Sequence, residues 1–297
     1  MPQRLLALLL CAALFIPSCA LAEDTTPEPE RFVAPTLPPD AIAWDSSHPG
    51  ILDEDMLYAR SAILIEANTG EVLFEKNADE IMYPASTTKI MTALVALGEG
   101  DLDRVYTVKK QYAAVEGSSM YLEEGERLTL RDTLYGLLLS SGNDAAAAVA
   151  GECGGERAFV DKMNAKAREL GLTDTRFENP SGLPSDGHYT TARELAKITA
   201  AALRDPVFRD IVSTKTCTAA GRTLVNHNRL LSLYEDAIGV KTGFTRAAGR
   251  CLVSAAERNG RTVIAVTLND PDDWNDHIVL LDDAFSRYSE VTLHEKG

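Results

Sequence analysis

The sequence predicts an α+β protein in which a helical block is inserted between the strands of an antiparallel sheet. Strand-like segments come first, helical periodicity dominates between Thr129 and Leu203, and strand-like segments return after Pro206. The strands are separated by short turns, which favours antiparallel pairing. With 297 residues, 45% of them hydrophobic, the chain can bury the core of one large domain or two modest ones.

The first elements are a hairpin and a helix. Strands at 62–66 and 71–75 flank a turn in which Asn68 and Gly70 supply the conformations that tight hairpins need. A helix at 86–97 carries apolar residues at roughly the helical period and ends at a glycine. Further helices are predicted at 130–139, 144–150, 156–170 and 191–203.

Strand patterns return in the last third of the chain, where β-branched and apolar residues alternate with turn residues. These strands are predicted at 213–218, 223–226, 239–241, 251–256 and 263–268. A final amphipathic helix at about 274–288 would cover one face of the sheet.

The N-terminal residues predict an exported protein. Arg4 precedes an apolar run, Leu5 to Ile16, and Ala20-Leu21-Ala22 follows, which is the layout of a secretory signal peptide at 1–22 with cleavage after Ala22. Lipidation of Cys19 is the weaker alternative, because the residues before it poorly match a lipoprotein signal. No other segment approaches the roughly 20 apolar residues of a transmembrane helix.

Composition divides the remainder of the chain. A Pro-rich and acidic linker is expected at 23–52, and one folded domain at 53–290, with a helical subdomain at about 112–212. The last residues, 291–297, would form a tail.

The charge balance excludes two classes of partner. Lys and Arg total 29 against 44 Asp and Glu, a formal charge of −15. This is the wrong sign for a protein that follows nucleic-acid phosphates or adheres electrostatically to anionic lipid. The five histidines form no ligand cluster, so neither a metal nor a cofactor is predicted.

Three cysteines remain after the signal peptide, which allows at most one bridge within the chain. A disulfide between Cys217 and Cys251 is the expectation, because both lie in strand-like segments. Spacing alone leaves the connectivity open.

Ser86-Thr87-Thr88-Lys89 is the first motif that carries chemistry. It lies at the first turn of a helix, where a three-residue spacing places the Ser86 hydroxyl and the Lys89 amine on one face. A serine hydroxyl needs a nearby base to become a nucleophile, and a lysine with a lowered pKa can be that base. Ser86 is therefore the candidate nucleophile and Lys89 the candidate base.

Ser141-Gly142-Asn143 is the second motif, and it falls at a break between two helices. Side chains at such a break can project into a cleft. Ser141 could relay a proton to a leaving amine, and Asn143 could hydrogen-bond both the lysine and a substrate amide.

Lys241-Thr242-Gly243 is the third motif and ends a short strand. Gly243 allows the close approach of a ligand backbone, Thr242 supplies a hydroxyl and Lys241 a second cation. The backbone N–H of Phe244, paired with that of Ser86, could form an oxyanion hole.

Each motif alone also fits a helix cap, a turn or a strand end. At average composition a Ser-x-x-Lys is expected about once in a chain of this length. The order of the three motifs, and their places on a helix start, an interhelical break and a strand, favour the functional interpretation.

The three motifs together resemble those of the penicillin-binding serine D-Ala-D-Ala carboxypeptidases of low molecular mass. The resemblance extends over about 55–288 and includes 83–94, 117–120, 137–146, 179–183, 188–192 and 239–243. It implies a β-lactamase/transpeptidase-like fold, with a five-stranded antiparallel sheet, flanking helices and an inserted helical subdomain. It also implies that 53–290 is a catalytic domain with its active site between sheet and helices.

The resemblance further implies a role for each motif residue. Ser86 would be acylated, Lys89 would be the base, Ser141 would relay the proton and Asn143 would contact the substrate amide. Lys241 and Thr242 would bind the terminal carboxylate.

Two features depart from the family pattern. Members often carry a small β domain and an amphipathic membrane anchor after the catalytic domain, and neither is seen before Gly297. Some members also have an arginine shortly after the last strand that helps to hold the carboxylate, whereas 269–274 is acidic here. We therefore expect Lys241, Thr242 and Arg246 to hold it.

The sequence thus predicts an exported enzyme of the cell wall or periplasm that removes the terminal D-Ala from peptidoglycan stem peptides and is acylated by β-lactams. A serine β-lactamase or a peptidoglycan endopeptidase on the same fold is the alternative among enzymes. A wall-binding relative without turnover is the alternative outside them. The oligomeric state is left open.

Overall fold

The computed structural model describes residues 52–286. The predicted signal peptide at 1–22, the linker up to residue 51 and the tail at 291–297 lie outside the described residues.

The strands are β1 (Ser61–Glu66), β2 (Val72–Lys76), β3 (Val105–Thr107), β4 (Arg127–Thr129), β5 (Thr216–Ala219), β6 (Arg222–Val225), β7 (Ala237–Thr245), β8 (Gly249–Arg258) and β9 (Arg261–Leu268). The helices are α1 (Lys89–Leu97), α2 (Lys110–Ala113), α3 (Leu130–Leu138), α4 (Asn143–Glu152), α5 (Glu156–Glu169), α6 (Ala192–Leu203), α7 (Pro206–Ser213), α8 (Leu230–Leu233) and α9 (Asp273–Ser286).

A five-stranded sheet organises the fold, with the strand order β2-β1-β9-β8-β7 and antiparallel pairing throughout. The prediction of a five-stranded antiparallel sheet with an inserted helical block is confirmed. The middle strands β8 and β9 are buried along most of their length, because helices cover both faces of the sheet. β7 ends the strand order of this sheet, so among the described residues its outer edge pairs with no other strand.

Two apolar layers enclose the sheet. One face packs against the helices between α1 and α7 in a large core that contains Ile63, Val253 and Val266. The other face packs against α9 through residues such as Leu252 and Leu280. Burial alternates between the layers along each strand, as the two-residue period of a strand requires. In the described part of the chain, no helix has the length and apolar character that a bilayer crossing requires.

The main error in the predicted elements lies at residues 206–218. A strand is predicted from 213, but α7 occupies Pro206–Ser213 and β5 begins only at Thr216. Asp205 caps α7, because its carboxylate accepts hydrogen bonds from the N–H groups of Val207 and Phe208. Pro206 stands at the first helical position, so the start signal was present in the sequence.

The predicted disulfide is wrong, since Cys217 and Cys251 are both free in the structure. Cys217 pairs with Leu224 in a separate two-stranded sheet, whereas Cys251 is buried in the central sheet opposite Gly243. The Cys251 thiol faces the carbonyl of Tyr83, at 3.7 Å. A strand pattern in the sequence predicts a strand but not the sheet to which the strand belongs.

A buried pair of carboxyl groups, Asp270 and Asp276, joins the end of β9 to α9. Burial and mutual repulsion raise the pKa of Asp270 far above its usual value, and burial raises the pKa of Asp276 as well. The folded state therefore holds protons that the unfolded chain releases near pH 4. This contribution to stability is present below pH 4 and is lost as the pH rises through the folded-state values.

We expect Asp270→Asn to reduce the loss of stability at high pH, because an amide stays neutral where the carboxyl group would have to ionise. The melting temperature of the variant should exceed that of the wild type by about 3 °C or more at pH 8, and by less at pH 4.5. Thermal unfolding followed by circular dichroism at both pH values checks this. An equal shift at both values would contradict the assignment.

Candidate active site

A cleft of about 290 Å³ opens where the edge strand β7 meets the start of α1 and the junction of α3 and α4. Five of the site residues predicted from the sequence line this cleft: Ser86, Ser141, Thr242, Gly243 and Phe244. The residues that line the cleft are Ser86, Ser118, Ser141, His227, Thr242, Gly243, Phe244, Arg250, Asp273 and Trp274.

Ser86 lies on a 3-10 turn, Ala85–Thr88, that runs directly into α1. Ala85 has a positive φ of 48°, a conformation uncommon for a residue with a side chain. Gly243 of β7 lies so close to this turn that a Cβ there would come within 3.0 Å of the Ser86 backbone nitrogen. The absent side chain thus brings the edge of β7 against the backbone of the candidate nucleophile.

Lys89 follows one helical turn later, and its side chain is fully buried. Its Nζ contacts the Ser86 hydroxyl at 3.0 Å and donates to the side-chain oxygen of Asn143 at 2.8 Å. A third hydrogen bond, of 2.7 Å, goes to the carbonyl oxygen of Ser181. Burial and the positive charge of Lys241 hold the pKa of Lys89 well below its usual value. An uncharged amine beside a serine hydroxyl can accept its proton.

The α3–α4 junction positions Ser141 and Asn143. Ser141 has a φ of 58°, so the chain reverses sharply there, and Asn143 begins α4. The Asn143 amide accepts from Lys89 and donates to the Glu116 carbonyl at 2.6 Å. The second and first motifs therefore meet through a hydrogen bond.

The third motif lies on β7. Lys241 is buried, and its Nζ donates to the Thr242 carbonyl at 2.8 Å. Burial lowers the pKa of Lys241 to about 7, so its charge depends on pH in the neutral range. Phe244 is 63% exposed at the mouth of the cleft.

Arg250 is a cleft residue that the motifs do not indicate. It lies on β8 directly opposite Phe244, which places its side chain on the same face of the sheet as Thr242 and Phe244. Its guanidinium donates to Asp273 at 2.6 Å and stacks on the ring of Trp274, with 5.8 Å to the centroid. Arg246, which we expected to serve the carboxylate, is exposed in the turn between β7 and β8 and is absent from the cleft lining.

A loop between α5 and α6 supports the Lys89 amine from the other side. The side-chain oxygen of Asn179 accepts hydrogen bonds from the N–H groups of Ser181, Gly182 and Leu183, which fixes the Ser181 carbonyl that Lys89 contacts. The family-like segment 179–183 lies in this loop, but its sequence does not indicate the hydrogen bond between Lys89 and the Ser181 carbonyl. Within residues 52–286, no cluster of three or more His, Cys, Asp or Glu residues could hold a metal ion.

This geometry suits acyl transfer: a hydroxyl, a low-pKa amine in contact with it, and a cationic group stand around one cleft beside the edge strand β7. The comparisons with known proteins agree. The peptidase S11 family, described as D-alanyl-D-alanine carboxypeptidase, matches residues 49–272. The chain belongs to this family.

The most similar relatives include carboxypeptidases from Bacillus and Streptomyces. The chain is 40% identical over 254 residues to the D-alanyl-D-alanine carboxypeptidase DacF of Bacillus subtilis. This match covers 80% of this chain and 65% of that protein. It is 41% identical over 223 residues to the D-alanyl-D-alanine carboxypeptidase of Streptomyces sp. strain K15. That match covers 67% of this chain and 77% of the relative. The chain thus spans slightly less than two thirds of the Bacillus relative.

A solved structure shows the same fold. The crystal structure of the Streptomyces K15 DD-transpeptidase superimposes with a TM-score of 0.75 at 36% sequence identity. The match covers 79% of this chain and 100% of that one.

Proposed function

We propose that this chain is an exported serine D-Ala-D-Ala carboxypeptidase that trims peptidoglycan stem peptides and is acylated by β-lactams. The observation that carries the proposal is the contact between the buried Lys89 amine and the Ser86 hydroxyl, at 3.0 Å. Family membership supports the reaction class, and the signal-peptide pattern at 1–22 supports the compartment.

Acylation begins at the Ser86 hydroxyl. Its oxygen attacks the carbonyl carbon of the penultimate D-Ala while Lys89 takes the hydroxyl proton. The N–H groups of Ser86 and Phe244 would stabilise the negative oxygen that forms, since Gly243 lets β7 approach this backbone. The C–N bond then breaks, and a proton delivered through Ser141 leaves with the amine of the terminal D-Ala.

Deacylation completes the cycle. Water attacks the ester carbonyl, Lys89 accepts a proton from it, and the Ser86 oxygen leaves as the hydroxyl is restored. The Asn143 amide and the Ser181 carbonyl keep the amine in place through both steps.

The carboxylate of the substrate needs a cation, and Arg250 supplies the permanent one in the cleft. The charge of Lys241 depends on pH because its pKa is about 7, whereas a guanidinium stays charged at every working pH. A guanidinium can also donate hydrogen bonds to two carboxylates at once, since its five N–H groups lie on different sides of the planar group. Arg250 would thus bind the substrate carboxylate together with Thr242. Asp273 and Trp274 would hold the Arg250 guanidinium in place.

We expect Arg250→Gln to raise KM for peptides that end in D-Ala-D-Ala by about 10- to 100-fold, the effect of losing one charge-assisted hydrogen bond. Steady-state kinetics with a peptide ending in a free carboxylate, and with its C-terminal amide, measures this. The wild type should discriminate strongly between the two peptides and the variant weakly. Arg246→Gln, at an exposed position in the adjacent turn, is the control and should leave KM unchanged. Unaltered discrimination in Arg250→Gln would contradict this role.

The proposed activity is tested by incubating the purified protein with a pentapeptide that ends in D-Ala-D-Ala and quantifying free D-Ala. Release of one D-Ala per peptide is the expected result. Rapid catalytic hydrolysis of penicillin without D-Ala release would indicate a β-lactamase. Cleavage restricted to cross-linked peptide dimers would indicate an endopeptidase. No reaction with the pentapeptide, penicillin or the dimers would indicate a wall-binding relative without turnover.

A further inference from the structure

The Asp144 carboxylate is a buried group that the mechanism above does not use. Asp144 is the second residue of α4 and is 1% exposed. Its oxygens accept hydrogen bonds from the Ser119 hydroxyl at 2.6 Å, from the Met120 N–H at 3.0 Å and from the Leu122 N–H at 3.0 Å. One side chain thereby anchors the loop 116–122, whose Ser118 lines the cleft.

The anchored loop in turn holds the neighbouring residue, Asn143. The Glu116 carbonyl accepts from the Asn143 amide at 2.6 Å, and the Ser118 carbonyl accepts from the Asn143 backbone N–H at 2.7 Å. The other end of the same amide accepts from Lys89. A continuous series of contacts therefore runs from Asp144 through the loop to Asn143 and the Lys89 amine.

Two glycines show how closely this arrangement is packed. Gly117 has a φ of 96°, and a Cβ there would lie 2.6 Å from the Asn143 amide nitrogen. A Cβ on Gly142 would lie 2.6 Å from a carboxylate oxygen of Asp144. The loop thus sits directly against both side chains, and a displacement of the loop would displace the Asn143 amide.

Asp144 also acts on Lys89 through its charge. Burial and Lys241, on β7, lower the pKa of Lys89, whereas Asp144, on α4, raises it. The two residues therefore shift the pKa of this amine in opposite directions. Loss of the Asp144 charge would lower the pKa of Lys89 further.

We propose that Asp144 is a positioning residue for acyl transfer: it fixes the loop 116–122 so that the Asn143 amide holds the Lys89 amine against Ser86. This inference rests on the proposed function.

The test compares variants by the second-order rate of acylation with benzylpenicillin, measured from pH 5 to pH 9 and normalised to the number of sites that finally react. Asp144→Asn keeps the size of the side chain but removes its charge and one acceptor group. We expect the rate at neutral pH to fall about 10- to 100-fold, because a displaced catalytic group loses rate steeply with distance. The acid limb of the pH profile should move to lower pH, since Lys89 deprotonates more readily.

Two further variants separate position from charge. Ser119→Ala removes the hydroxyl's hydrogen bonds with Asp144 and with the Tyr121 N–H but keeps the Asp144 charge, so the rate should fall while the acid limb stays in place. Asp132→Asn is the matched control, because Asp132 closes a capping box with Thr129 in the same helical block but does not contact the loop. It should lower the melting temperature and leave both the rate and the profile unchanged.

A wild-type rate with an unmoved acid limb in Asp144→Asn would overturn the proposal. If that variant does not fold, an unchanged rate in Ser119→Ala overturns it instead. Failure of the wild type itself to form an adduct would contradict the proposed function and is distinct from both outcomes.

Discussion

Lys89→Met is expected to reduce acylation of the protein by about 10³- to 10⁴-fold, the contribution of a well-placed general base. Methionine matches the length of the lysine side chain and suits a buried position. The Ser86 hydroxyl would remain in place but would lose its proton acceptor. Stopped-flow measurement of acylation by a chromogenic cephalosporin gives the rate.

The control for this variant is Lys109→Met, at a lysine whose side chain is 58% exposed in the helical block. It should acylate at the wild-type rate. The Lys89 variant also leaves the Asn143 oxygen and the Ser181 carbonyl without their donor, so its melting temperature should fall by several degrees. An acylation rate within threefold of the wild type would show that another group takes the Ser86 proton.

Ser86→Ala is expected to have the largest effect on turnover, at least about 10⁴-fold, because no acyl-enzyme can form without the hydroxyl. The substitution removes one oxygen at a half-buried position on the turn. The backbone around Gly243 is unchanged, so the variant should fold and should still bind peptides that end in D-Ala-D-Ala.

D-Ala release and peptide affinity together check this expectation. The affinity of Ser86→Ala should remain within about tenfold of the wild type, since the carboxylate contacts are intact. Ser213→Ala, at an exposed serine at the end of α7, is the matched control and should retain turnover. Residual D-Ala release near the wild-type rate would exclude Ser86 as the nucleophile.

The layout of the fold could be predicted because its local signals are strong. The helical periods of α3, α5 and α6 and the turn residues of the β1–β2 hairpin correspond to the observed elements. The two-stranded sheet of β3 and β4 is not predicted, since three-residue strands carry too little pattern. β7 proved longer than predicted, because Gly239 and Gly243 interrupt its strand pattern.

The residues of the site divide in the same way. Ser86, Lys89 and Asn143 could be predicted, since fixed spacing places them at helix starts, and the structure joins them through hydrogen bonds. Arg250 could not, because its place beside the cleft depends on the register of β7 against β8. Asp144 directly follows a motif residue, yet its importance lies in contacts with a loop more than 20 residues away in sequence.

The central claim is that Ser86 becomes acylated, and peptide-mapping mass spectrometry of the benzylpenicillin-treated protein tests it most directly. Ser86, Ser118 and Ser141 all line the cleft, so the mapping must distinguish the three. We predict a single, slowly released penicilloyl group on Ser86. An adduct on another serine, or intact penicillin with unmodified protein, would contradict the account.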